Sequence, residues 1–411
     1  MPLSLQEQLQ NYAELIVRVG ANVQPGQTVL FRAPVEGAEL ARMVVRSAYA
    51  AGARYVNMIW TDDDVTLAHF ENAADETFDA FPGWLALAHN EAAERHDATI
   101  EIRASDPALL KDQNPDKVAR AAKARRLAVK PFMDAVTSSK VNWCLVSMPI
   151  ESWAKQVYPT LQPAQAMEKL WQAILKSVRA DQPNAAELWR EHLARLEARR
   201  SYLTDKAYQA LHYRAPGTDL TVGLPEGHLW LGGYQDTQGG ITYVANLPTE
   251  EVFTLPHKDR VDGVVKSTMP LSYNGNLIED FSFTFKDGRV VEARAKTGQA
   301  ILETLLATDE GARRLGEVAL VPHSSPIAQM NTLFYNTLYD ENASCHLALG
   351  RAYAFTLKGG TSMRDDEAAA HGANLSLEHV DFMIGSSELD VDGITQSGAR
   401  EPIMRQGEFV F

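Results

Sequence analysis

The sequence predicts an α/β N-terminal domain with a parallel sheet, followed by an α+β, β-rich domain that should hold the functional site. Three observations lead there. A chain of 411 residues is too long for one ordinary hydrophobic core, so two domains are expected. Strand, helix and strand follow one another across residues 28–60, as a βαβ unit requires. Beyond residue 218 the pattern changes to short β-prone runs separated by glycine-rich turns.

Taken in order, Leu5, Leu9, Tyr12, Leu15, Ile16 and Val19 recur at helical spacing, so residues 5–20 read as an amphipathic helix. Pro25-Gly26 marks a turn, and residues 28–32 a short buried strand. Residues 36–52 are Ala-rich and helical, ending at Gly52, and residues 54–60 form the next strand. Residues 84–93 and 115–128 read as helices, 99–102 and 141–148 as strands. The basic run Lys117, Arg120, Lys123, Arg125 and Arg126 reads as a solvated helix face. No G-x-G-x-x-G or P-loop motif follows any of these strands, so nucleotide binding has no support. Residues 164–179 and 185–213 read as helices, the second about 40 Å long at 1.5 Å per residue. The turn at Pro183 between them sets the expected boundary, with 1–183 a scaffold or lid and 184–411 the catalytic domain.

In that second domain residues 218–224 alternate polar with apolar, and Gly232-Gly233 and Gly239-Gly240 supply turns. Residues 241–245, 263–267, 281–285 and 289–295 are β-prone, with Asp287-Gly288 a hairpin signal between the last two. Residues 298–306 read as a helix and 317–321 as a strand.

A net charge of −14 argues against a nucleic-acid surface. Two cysteines, Cys144 and Cys345, provide neither a disulfide framework nor a thiolate zinc site. Cys345 adjoins His346, but neighbouring residues rarely aim at each other, so a thiol nucleophile is not expected. The N-terminal residues lack the basic patch and apolar run of a signal peptide, and no stretch is apolar enough to span a membrane. A cytoplasmic protein with no nucleic-acid or membrane partner is expected.

The chemistry concentrates between Asp340 and Asp381. His379 and Asp381 stand two apart, so on a strand they share a face. Imidazole and carboxylate are the ligands a divalent ion such as zinc or cobalt takes. His346 and Tyr353 would share a face on a helix, and Glu341 would converge with His346 only if that helix began between them, capped by Asn342 or Ser344. Two further segments offer carboxylates. In Glu250-Glu251 an extended chain sends the side chains to opposite faces, so at most one is inward, and alternation does not choose. Glu317, heading an apolar strand, reads as a solvated strand end or a buried paired carboxylate, the first being favoured on that segment alone. A set dominated by carboxylates fits two ions sharing a bridging group better than a single zinc. Neither H-E-x-x-H nor G-x-S-x-G is present. Asp390 and Asp392 read as solvated turn carboxylates, and His228 and His323 as structural.

The segments N-L-P-T-E-E-V-F-T, R-R-L-G-E-V-A-L-V-P, D-E-N-A-S-C-H-L-A-L-G-R-A-Y and H-V-D-F-M-I-G occur in that order. Together they resemble the thermophilic metalloaminopeptidase family, whose members include aminopeptidases T and S. G-T-D-L-T-V-G-L-P-E-G-H-L-W and S-S-E-L-D-V-D-G-I extend the resemblance across the second half. It implies a dimetal exopeptidase releasing N-terminal residues through attack of a metal-bridging hydroxide, active with zinc, cobalt or magnesium. It also implies a homodimer acting on peptides with a free N-terminus. Carried over motif by motif, it makes Glu251, Glu317, His346, His379 and Asp381 ligands, with Glu317 bridging. Glu341 matches an acidic position that either ligates metal or only supports the ligands. Tyr353 matches a catalytic tyrosine, its alternative being a core position on an Ala-rich helix. A dimetal dipeptidase or other amidohydrolase, or a non-catalytic binding protein on this scaffold, are the alternatives carried.

Overall fold

The computed structural model describes residues 3–104, 106, 109–273 and 276–411. The chain forms two compact units, one of residues 1–192 with 234–248, the other of 193–233 with 249–411. The division falls inside the helix Ala185–Lys206 rather than at the Pro183 turn, and a later segment returns to the first unit.

In the first unit β1 (Thr28–Pro34), β2 (Tyr55–Thr61), β3 (Ala98–Arg103) and β4 (Trp143–Ser147) form an all-parallel sheet in the order β2-β1-β3-β4. The helix Ala38–Ala50 is the crossover between β1 and β2, burying Leu40, Met43 and Val44 at helical spacing. The expected first helix is α-helical over Leu5–Leu15 and continues as a π-helical turn to Gly20. Its start is fixed by a capping box in which Ser4 accepts from the Glu7 N–H and the Glu7 carboxylate accepts from the Ser4 N–H. Its end needs glycine: a Cβ on Gly20 would lie 2.4 Å from the Cys144 Sγ on β4. The basic helix Pro115–Ala128 is present as expected. Arg120 on it is not free in solvent but pairs with Asp75 and Asp79.

The second unit corrects one element. The helix expected over 185–213 ends at Lys206, and Ala210–Ala215 is a strand. Ala207 takes a positive φ of 43°, which ends the helix, and the strand then pairs antiparallel with Thr218–Gly223 across Pro216-Gly217. Long-range pairing here overrides a run of residues that individually tolerate helix. These two strands lie in a nine-stranded sheet ordered Leu271–Tyr273, Asn276–Lys286, Val261–Lys266, Thr218–Gly223, Ala210–Ala215, Asp390–Ile394, Arg400–Arg405 and Glu408–Phe409. Arg289–Thr297 also pairs with Asn276–Lys286. Asp392, expected to be solvated, is buried there and paired with Arg405 and Arg214.

A second, four-stranded antiparallel sheet carries the site. It consists of β5 (Val252–Thr254), β6 (Leu315–Leu320), β7 (His346–Gly350) and β8 (His379–Met383), in the order β8-β7-β6-β5. One face (Val318, Leu347, Leu349, Phe382) is apolar, with Phe382 against Phe281 and Phe283 of the larger sheet. The other face is where the polar residues of these strands point.

Candidate metal centre

Register brings the expected residues together. Ala348 on β7 lies opposite Glu317 on β6 and Asp381 on β8, while Gly350 faces His379 and Ala319 faces His346. Directly opposite residues share a sheet face, so Glu317, His346, His379 and Asp381 all project the same way. Glu251 precedes β5 by one residue and joins that face, two positions before Phe253, which pairs with Ala319. Ala319, Ala348 and Gly350 keep the ground between these side chains low. That spacing by small residues was not read from the sequence, although the alternation H-L-A-L-G contained it.

His346 Nε2 lies 3.2 Å from Glu251 Oε2 and 3.5 Å from Glu317 Oε1. His379 Nε2 lies 3.8 Å from Glu317 Oε2 and 3.5 Å from Asp381 Oδ1. Two triads result, Glu251–Glu317–His346 and Glu317–His379–Asp381, each with ligand atoms within 4.8 Å of one another. Glu317 belongs to both and turns one oxygen to each. On the other side of the rings, His346 Nδ1 meets the Ser344 carbonyl at 3.0 Å and His379 Nδ1 the Arg351 carbonyl at 2.7 Å. A carbonyl there holds a proton on Nδ1 and turns Nε2 toward the carboxylates, where a bound cation would take the place of its proton.

Three expectations change. His346 and Tyr353 do not share a helix: His346 is on β7, and Tyr353 follows it in the loop before a 3₁₀ turn. Glu317 is not a solvated strand end but is 6% exposed. Both Glu250 and Glu251 are withdrawn from solvent, Glu250 being only 2% exposed. Glu251 Oε2 reaches His346, and Glu250, although buried as well, is in neither cluster of converging ligands. Cys345 is buried, its thiol against the Val321 carbonyl and pushed up to about 11 by burial, which leaves it an inert side chain.

Burial raises the Glu317 carboxyl, aided by the charges of Asp381 and Glu251 and opposed by His346. Glu341 is held well above the ordinary carboxylate range by burial and by Glu251 and Asp381. For Asp381 burial works upward, but the His379 imidazole close by prevails and lowers it. Burial depresses His379, yet Asp381 and Glu317 overcome it and carry it to about 9. His346 is likewise carried well above its ordinary value by Glu251 and Glu317 against burial. The common cause is concentrated negative charge out of water, which draws cations to the imidazole face.

The residues fit a cation. Glu251 Oε2 and Asp381 Oδ1 are buried and make no hydrogen bond of good geometry among the described residues, although imidazole nitrogens stand close by. Ligand atoms that converge on shared points rather than on each other's protons behave this way, and imidazole plus carboxylate is a borderline-metal donor set.

Around the triads, the Tyr353 ring stands 4.6 Å from the His379 ring and stacks on Phe355, with its hydroxyl kept protonated by burial and the nearby carboxylates. Asn342, read from sequence only as a helix cap, has another task. Its Oδ1 accepts the Glu250 N–H at 2.6 Å and its Nδ2 donates to the Leu338 carbonyl at 2.9 Å. It thereby ties the Glu250-Glu251 segment to the turn that carries Glu341.

The profile of the thermophilic metalloprotease (M29) family matches residues 5–409. The chain belongs to this family, and it is a metal-dependent peptide hydrolase. It is 47% identical to Aminopeptidase 2 of Geobacillus stearothermophilus, over 99% of this chain and 98% of that protein. It is 44% identical to Aminopeptidase T of Thermus thermophilus, over 98% of each. The solved structure of wild-type AmpT from Thermus thermophilus superposes with a TM-score of 0.92 at 43% identity, covering 99% of this chain and 100% of that one. Membership extends along the whole chain, so the α/β unit belongs to the family architecture as much as the β-rich one does. Among the described residues, no helix is long and apolar enough to cross a membrane.

Proposed function

We propose that this chain is a dimetal aminopeptidase that removes N-terminal residues from peptides with a free amino terminus. Glu251, Glu317 and His346 would hold one ion and Glu317, His379 and Asp381 the other, the ions being zinc, cobalt or magnesium. The observation that carries the reading is the Glu317 carboxylate, whose two oxygens address two different imidazoles. The printed names of the relatives, aminopeptidases throughout, give the substrate end of the reaction its support.

Bound divalent ions supply an activated water and polarise the scissile carbonyl. The chain's own residues do the rest. The Nδ1 contacts of both histidines fix ring orientation, and the buried carboxylates keep a pre-set negative surface that needs no reorganisation. Tyr353, protonated at neutral pH, donates its hydroxyl to the carbonyl oxygen as negative charge develops there. Glu341, on the turn beside Asn342, is the carboxyl that carries a proton to the leaving amine. The protein works as a cytoplasmic homodimer with no nucleic-acid or membrane partner.

The test is hydrolysis of leucine p-nitroanilide by protein stripped with chelator and refilled with zinc or cobalt. Activity should vanish on stripping, return with metal, and be absent when the α-amine is acetylated. Equal cleavage of the acetylated substrate would overturn the exopeptidase assignment.

A further inference from the structure

A row of aromatic rings borders the ligand cluster, and Tyr353 stands within it. Phe253 on β5 pairs with Ala319, as His346 does from the other side, so Phe253 and His346 share a sheet face. The Phe253 ring meets Phe355 edge-on, with centroids 6.5 Å apart and planes at 85°. Phe355 in turn stacks on Tyr353 at 5.2 Å and 13°, and Tyr353 ends the row 4.6 Å from the His379 ring. The row thus runs from the strand that follows Glu251 to the strand that carries His379 and Asp381.

Main-chain bonds fix the base of this row. Phe253 exchanges N–H and carbonyl bonds with Leu231, at 2.8 and 2.9 Å. Two residues before Leu231, the Leu229 N–H donates to the Thr356 carbonyl at 2.7 Å, in the 3₁₀ turn Ala354–Thr356 that carries Phe355. The Tyr353 carbonyl accepts from the Thr356 N–H at 3.0 Å and from the Thr356 hydroxyl at 2.6 Å. The backbone under all three rings is therefore set, whereas the Tyr353 side chain is partly exposed. Such a side chain has three staggered χ1 wells, and a change of well would swing the hydroxyl away from the site. In the observed well, burial and the charges of Glu317, Asp381, Glu341 and Glu251 act on that hydroxyl, which puts it within reach of both triads. A ring stacked nearly parallel to Tyr353 favours this well over the others, because offset stacking is lost when the tyrosine swings out.

We propose that Phe355 is a positioning residue: its stacked ring holds Tyr353 where the hydroxyl meets the developing oxyanion, and Phe253 backs Phe355 from across the sheet. The proposal rests on the aminopeptidase reading and deepens it with a residue whose effect on the reaction passes through Tyr353. A donor held in place before the charge develops stabilises it without reorganisation, and a small misplacement forfeits much of that gain.

The experiment is a double-mutant cycle on metal-loaded protein, with Phe355→Leu, Tyr353→Phe and the two together, read as kcat and KM for leucine p-nitroanilide. Leucine keeps the site apolar and removes the stacked ring. Phe355→Leu should lower kcat about tenfold, with KM changed less than threefold and metal content unchanged. In the Tyr353→Phe background, where there is no hydroxyl left to position, the same substitution should lower kcat less than twofold. A packing or folding defect would cost as much in both backgrounds, and that outcome overturns the proposal. So does a Phe355→Leu enzyme whose kcat stays within twofold of the parent. Near-normal turnover by Tyr353→Phe alone would remove the tyrosine from catalysis and this proposal with it, leaving the aminopeptidase reading intact. If the unsubstituted, metal-loaded protein does not cleave the anilide, the aminopeptidase reading itself falls.

Discussion

Glu317 is the side chain on which the two triads depend, because each of its oxygens faces a different imidazole. Glu317→Gln keeps the shape and removes the charge. Metal content should drop, and kcat/KM should fall by at least about a hundredfold. The fold should survive, since a carboxylate that burial and two neighbouring acids already disfavour is replaced by a neutral amide. Elemental analysis with circular dichroism checks both halves; near-normal turnover would remove Glu317 from the bridging role. Tyr353 tests a different interaction. It is 38% exposed, its ring lies beside His379, and its hydroxyl is protonated at any working pH. Tyr353→Phe should lower kcat about a hundredfold, as loss of one donor to a developing oxyanion does, with KM changed less than threefold. An effect confined to KM would make Tyr353 a substrate-positioning residue.

At the scale of elements, the site depends on how closely β6 and β7 approach. Gly316 sits in the β6 bulge just before Glu317, and a Cβ there would lie 2.4 Å from the carbonyl oxygens of Gly350 and Arg351. Backbone oxygens held by the His379 ring and the Asn374 amide cannot give way as the far end of a side chain would. Gly316→Ala should therefore cost about 1–3 kcal/mol in denaturant melts and weaken metal binding, because Glu317 moves with the strand. Gly83→Ala, where nothing crowds the added methyl, is the control. An unchanged Gly316→Ala melt would show that the bulge does not set the ligand's position. The same elements show what the sequence could disclose. His379-x-Asp381 was legible because a period of two needs only the strand. His346 was harder, since H-L-A-L-G-R-A-Y fits helix spacing as well as strand alternation. The burial of Glu317 was illegible locally: whether the head of an apolar strand meets water depends on β7 and β5, which come from distant parts of the chain. Similarly, the 185–213 helix was overextended because the partner of Ala210–Ala215 decides its state, not its own composition.

For the whole molecule, every proposed ligand comes from the second unit, yet the chain outside it is just over half the protein. A buried carboxylate cluster makes the metal-free state of that unit electrostatically costly. Ions that bind only the folded form stabilise it by mass action, about 2.7 kcal/mol at a hundred times Kd. Hydrogen exchange should therefore respond unevenly to chelation. Amides of β6, β7 and β8, whose side chains converge on the ions, should lose protection first and regain it on adding zinc or cobalt. Amides of β1 to β4, which contribute no ligand, should change little under the same treatment. Ions seated elsewhere would give a different map: equal protection in both sheets, or a response centred on the larger antiparallel sheet, would count against the two triads. A response confined to β7, the Glu251 segment and β6, with β8 silent, would instead reduce the site to one ion held by Glu251, Glu317 and His346.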